Sequence, residues 1–216
     1  MSGRKAVITG IGLTTPLGIG LEENWKSLSG GKSGIRHYPK GDLPRCFQYF
    51  GKVEPFEVTA APPPSLGPQM KFLNRGALLG YSSSCEALRQ AGADLSTLPP
   101  SRRALYVASG DLTKIGCEFL YPAIKEGTEG KGLQPDFEKL NQATLSQVNP
   151  FFLLESIANN LFSFLSAFGQ FMGPNTSLSS LSPSGSHALE LAFRCIVEGK
   201  AEIALAVGYG SWISEI

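Results

Sequence analysis

Residues 177–192 read SLSSLSPSGSHALELA. The first half mixes serine and leucine as a strand with one buried face does, and apolar residues recur at helical spacing from Ser186 onward. Between them stand Ser182, Pro183 and Gly185, residue types that interrupt regular structure. A strand that turns sharply into a helix is a common place to present a reactive side chain, because the free amides of the helix N-terminus stabilise negative charge. This turn offers Ser182, Ser184 and Ser186, and no cysteine.

Outward from this turn, apolar runs at 6–10 (AVITG), 104–109 (ALYVAS) and 201–208 (AEIALAVG) read as further buried strands, beside the strand 176–180. Helices are expected at 21–29, with Leu21, Trp25 and Leu28 on one face, and at 68–91, 115–125, 151–172 and 186–198. Residues 30–68 read as irregular with a strand at 48–53, and residues 127–149 as a polar loop. Strands alternating with helices predict an α/β sheet. The helix at 186–198 is apolar nearly all round, so it calls for cover on every side.

The chain has 216 residues, 42% of them hydrophobic and 17% charged, which suits a globular domain with a buried core. Its net charge is +1 without a basic cluster, which argues against nucleic acid as a partner. Cys46, Cys85, Cys117 and Cys195 are far apart and the only histidines are His37 and His187, so no metal site is expected. The cysteines read mainly as buried free thiols in a reducing, cytoplasmic setting, with no signal peptide before the first strand. Residues 151–172 are the most lipid-like stretch. They carry Glu155, Asn159, Asn160 and Gln170, which disfavour a membrane span and favour a core or interface helix.

Two motifs resemble catalytic or binding signatures and fall short of them. Gly10-Ile11-Gly12 follows a strand, but a dinucleotide fingerprint needs a third glycine where Thr15 stands, and Pro16 follows. The triplet reads as a structural turn. Neither Ser182 nor Ser184 has the glycine flanks of a hydrolase elbow. His187 lies five positions after Ser182, off the three-or-four spacing that joins helical neighbours.

Several stretches together resemble the N-terminal half of a β-ketoacyl-acyl-carrier-protein synthase. They are KAVITGIGLTTPLG (5–18), WKSLSGGKSG (25–34), the helix at 72–92, Asn149-Pro150-Phe151-Phe152 and Gly173-Pro174-Asn175, in family order along essentially the whole chain. The resemblance implies a thiolase-like half-fold: an α/β domain over residues 1–216 with a mixed five-stranded sheet and helices on both faces. It implies no cofactor.

Counting on from Asn175, the family's catalytic cysteine falls at Ser182. A helix terminus brings a thiol into the working pKa range, but a hydroxyl starts far higher and stays neutral. Pro183 stands where the family has a small residue, one residue is inserted between Phe168 and Gly173, and the family's two histidines and lysine belong to a C-terminal half that the chain is expected to lack. The resemblance therefore implies a chain-length-factor-type subunit, inactive on its own, in a heterodimer with an active ketosynthase that acyl carrier protein visits. Polyketide, aryl polyene and fatty-acid-type elongation are the settings it suggests. The partner-facing strand is expected at Thr176, Ser177, Leu178, Ser179 and Ser180. Ile115, Phe119, Leu120, Tyr121, Phe151, Phe152, Phe162 and Phe164 are expected to shape the acyl tunnel or interface. The alternative is an acyltransferase with Ser182 as nucleophile and a base borrowed from a partner chain.

Overall fold

A computed structural model describes residues 3–39, 48–110, 117–129, 134–152, 154, 157–179 and 183–211. Two short strands, β1 (Thr14–Thr15) and β2 (Gly18–Ile19), pair antiparallel and lead into helix α1 (Leu21–Ser29). A second antiparallel pair follows, β3 (Ile35–His37) with β4 (Tyr49–Gly51). Helix α2 (Arg75–Gln90) leads to β5 (Arg103–Ser109), then α3 (Cys117–Gly127), α4 (Phe137–Gln147) and α5 (Asn160–Gly169). Strand β6 (Asn175–Leu178), helix α6 (Ser184–Val197) and strand β7 (Ile203–Tyr209) complete the described chain.

The central sheet has the order β6-β5-β7 and is parallel throughout. Period-two alternation on β5 divides its side chains between two cores. Leu105 and Val107 meet Tyr81 of α2 and Leu161, Phe164 and Leu165 of α5. Ala104, Tyr106 and Ala108 meet Ala188, Ala192 and Cys195 of α6. Both faces of the sheet therefore carry helices, as an α/β domain requires. Of the five mixed strands expected, these three are in the sheet.

Residues 6–10 do not form the expected buried strand. β5 pairs with β6 on one side and with β7 on the other, the latter in unbroken register from Arg103–Ile203 to Ser109–Tyr209. The segment runs against α2 instead, where a Cβ on Gly10 or Gly12 would collide with the carbonyl oxygens of Ala87 and Ser83. The Ile11 amide donates to Gln90 Oε1 (2.6 Å), and Val7 and Ile8 are 77% and 76% exposed. Gly10-Ile11-Gly12 is thus a close-packing device, which explains two glycines without a nucleotide.

Other expectations shift for local reasons. The helix expected from Pro68 is a 3₁₀ turn (Gly67–Phe72) that breaks at extended Leu73, and α2 starts afresh where the Asn74 side chain accepts from the Ala77 amide (2.8 Å). Residues 127–149 hold helix α4 rather than a loop, begun by the Asp136 carboxylate accepting from the Glu138 and Lys139 amides. The aromatic stretch 151–172 is not one helix. α5 begins only at Asn160 and stops at Gln170, which takes a left-handed conformation (φ 49°) and lets Phe171 turn back into the core. α1 buries Asn24 and Ser27, while Trp25 and Leu28 face outward. Asn24 accepts from Thr15 Oγ1 (2.5 Å) and donates to the Gly18 and Gly20 carbonyls (2.8 and 2.7 Å), so polar bonding to the β1–β2 hairpin sets the helix's rotation.

Candidate functional site

The site lies at the carboxyl ends of the parallel strands, where open α/β sheets place their ligands. Leu178 of β6, Ser109 of β5 and Tyr209 of β7 end there, and the Gly110 amide donates to the Tyr209 carbonyl (2.8 Å). Helix α6 rises from the same edge, starting at buried Ser184 after Pro183. The Gly173-Pro174-Asn175 stretch sets the entry to β6. A side chain on Gly173 would press on the carbonyl oxygens of Ser101 and Arg103, and the Pro174 carbonyl accepts from the Leu105 amide (3.1 Å). The buried Arg103 guanidinium fastens that corner by donating to the carbonyls of Leu98 and Gly169.

Ser182 and Ser180 lie outside the described residues. The elements on either side of them are those expected: a strand that ends at Leu178 and a 14-residue helix from Ser184, two positions earlier than the spacing predicts. His187 is exposed on the first turn of α6, its backbone amide donating to the Pro183 carbonyl (2.9 Å). His37 sits in the β3–β4 hairpin, where a ring nitrogen meets Gln48 Oε1 (3.0 Å) and the ring packs on Tyr49. Among the described residues no cluster of His, Cys, Asp or Glu could hold a metal ion. Cys85 and Cys195 are free thiols, and burial pushes the Cys85 thiol above its ordinary value. Among the described residues no helix is long and apolar enough to cross a membrane.

Among the described residues β6 is an edge strand, bonded on one side to β5. Thr176, Ser177 and Leu178 lie within it and Ser179 follows it. The residues expected to shape a tunnel are distributed over three pieces of chain. Ile115 is outside the described residues, and Phe119, half-buried Leu120 and exposed Tyr121 belong to α3, which packs on α4. Phe151 is exposed, 6.1 Å from the Phe72 ring, and Phe152 is half-buried in the same turn. On α5, Phe162 packs at the margin of the core. Phe164 lies fully inside it, edge-on to Tyr81 at 5.2 Å, as a packing residue.

The cover that the sequence called for around α6 is incomplete on its outer face. Leu189 and Phe193 are 59% and 56% exposed there, opposite the face that packs on the sheet. The signal for it was the all-round apolar character of the helix. Side chains of this size left in solvent mark surfaces that are covered in an assembly or in a longer protein.

A family model described as "Beta-ketoacyl synthase, N-terminal domain" matches residues 4–216. A 3-oxoacyl-[acyl-carrier-protein] synthase 2 from Vibrio harveyi is 28% identical over 209 residues, which cover 96% of this chain and 46% of that relative. A β-ketoacyl synthase from Burkholderia phymatum STM815 shares the fold with a TM-score of 0.68 at 22% identity, covering 94% of this chain and 46% of its own. The ishigamide ketosynthase/chain length factor does so with a TM-score of 0.69 at 20% identity, covering 95% and 47%. The fold is thus thiolase-like, and the chain spans about half the length of the curated relatives it matches.

Proposed function

Because the chain belongs to the β-ketoacyl synthase family, matching its N-terminal domain, we propose that it is a non-catalytic, chain-length-factor-type subunit. In this reading it heterodimerises with an active β-ketoacyl-ACP synthase and shapes the acyl tunnel during polyketide, aryl polyene or fatty-acid-type elongation. Acyl carrier protein meets the complex through the active subunit.

The observation that carries the reading is the serine at the family's nucleophile turn. In this reading Ser182 stands where condensation needs a thiolate, and His187, five positions on, is off the three-or-four spacing that joins helical neighbours. A hydroxyl without a base is a poor nucleophile even at a helix N-terminus. Two surfaces support a partner: the open edge of β6, which leaves main-chain groups available for strand addition, and the apolar outer face of α6.

The test is co-expression with an active ketosynthase from the same gene neighbourhood, followed by intact-mass analysis after incubation with an acyl-carrier donor. The expected result is a stable 1:1 complex in which only the partner gains an acyl group. A soluble monomer that never retains the ketosynthase overturns the reading. An acyl adduct on this chain that disappears in Ser182→Ala replaces it with the acyltransferase alternative.

A further inference from the structure

Helix α6 turns Ala188, Ala192 and Cys195 to the sheet. At 3.6 residues per turn, the opposite stripe carries Ser186, Leu189, Glu190, Phe193, Arg194 and Val197. Leu189 and Phe193 stand exposed at its middle, and Val197 is half-buried near its end. Glu190 and Arg194 run along one flank of these apolar side chains and bond to each other within the helix (2.6 Å). Both are at least half exposed, and an ion pair in that setting does little for the helix on its own.

The order of residues along this stripe is self-complementary, which a two-fold interface requires. A two-fold axis that crosses the helix between Leu191 and Ala192 sets a second α6 antiparallel to the first. Leu189 then meets the second copy's Phe193, and Glu190 meets the second copy's Arg194, each offset along the axis by one residue, about 1.5 Å. Ser186, small, falls level with the second copy's Val197. Acid and base exchange ends under the two-fold, so each charge meets its opposite. A parallel pairing would set Glu190 against Glu190 and Arg194 against Arg194. Two large apolar side chains per copy cover less than a standard interface, so the association is weak and fills at high protein concentration.

We propose that the outer face of α6 docks a second copy of this chain, antiparallel about a two-fold axis, with Leu189 and Phe193 at the centre and Glu190 and Arg194 paired between copies. The inference does not rest on the heterodimer reading. A ketosynthase that uses this face competes with the second copy, and one that adds a strand to β6 does not.

Analytical ultracentrifugation of the chain across a concentration series, without any ketosynthase, tests it. A reversible monomer–dimer equilibrium with no larger species is expected. Phe193→Asp abolishes the dimer, and Leu189→Gln does the same if the first variant fails to fold. Glu190→Arg and Arg194→Glu each set like charges across the axis, and each weakens its own dimer about ten-fold. Mixed in equal amounts, with one of them fluorescently labelled, these two variants pair with each other at close to the natural affinity, because opposite charges again meet at both ends. The bond within a single helix is broken in both variants, so it cannot produce that rescue. A chain that stays monomeric at every concentration overturns the inference, and the heterodimer reading stands or falls separately by retention of the ketosynthase. A dimer indifferent to both apolar variants, or a mixture that does not recover, also overturns it.

Discussion

The two faces of the central sheet are built differently. One is covered by α2 and α5 through Tyr81, Leu161, Phe164, Leu165 and Phe171, and these large side chains close over Leu105, Val107, Leu205 and Val207. The other is covered by α6 through Ala188, Ala192 and Cys195, set against Ala104, Ala108 and Ala201, with Tyr106 the one large side chain fully inside and Leu178, Leu191 and Ile196 at its margin. Small residues bring α6 close to the sheet, Leu191 and Ile196 pack at the margin, and Leu189 and Phe193 stay in solvent. The first face is a finished core. The second leaves Leu189 and Phe193 in solvent, and it adjoins the turn between β6 and α6.

Truncation on the finished face should hurt most. Phe164→Ala leaves a cavity against Tyr81 and is expected to cost about 3–5 kcal/mol, read from urea unfolding monitored by circular dichroism. A loss under 1 kcal/mol would mean that this face is not the core. Overpacking the close-set face comes next. Ala188→Leu forces α6 off β5 and is expected to cost about 1–3 kcal/mol in the same assay. Phe193→Asp should change the isolated chain's stability by no more than about 0.5 kcal/mol, because the side chain points to solvent, yet it should abolish retention of the ketosynthase partner. Equal loss of stability and partner would put Phe193 in a finished core and erase the distinction between the faces.

The smallest effect concerns the clamp that fastens the α6 face. Arg102 donates to the carbonyls of Gly199 and Lys200 (2.8 and 3.1 Å) and pairs with Glu202 (2.6 Å). The hydrogen bond from Arg102 holds the Glu202 carboxyl below its ordinary 4.5. A depressed carboxylate contributes fully above its unfolded pKa and is lost as pH falls through the folded value. Stability of the natural chain should therefore decline below about pH 4.5 slightly more steeply than that of Glu202→Gln, seen as converging urea midpoints in an acid series. Parallel midpoints would show that the exposed pair contributes nothing.

Much of this was readable along the chain. The alternation of β5 and β7, the glycines after α2 and α6, and the strand–turn–helix at 177–192 are local patterns with local causes. The family stretches pointed to the fold that the comparisons show. Helix α4 escaped notice because its apolar stripe is thin, with Phe137 and Leu145 exposed, although Asp136 was an available start signal. The edge position of β6 among the described strands has no one-dimensional signature at all.

By itself the sequence determined the class of the domain, the absence of a cysteine from the turn at 177–192, and the surplus of apolar surface on α6. Caps, periodicity and residue identity act over a few neighbouring positions, and they are legible there. Only the tertiary structure decided which strand lies beside β5, which face of α1 turns inward, and which side of α6 stays bare. Those outcomes are settled by competition among distant segments for the same hydrogen-bonding edge or the same apolar surface. Residues 10–12 pack on α2 while β7 pairs with β5, and the polar bonds of Asn24 outweighed the burial of Trp25.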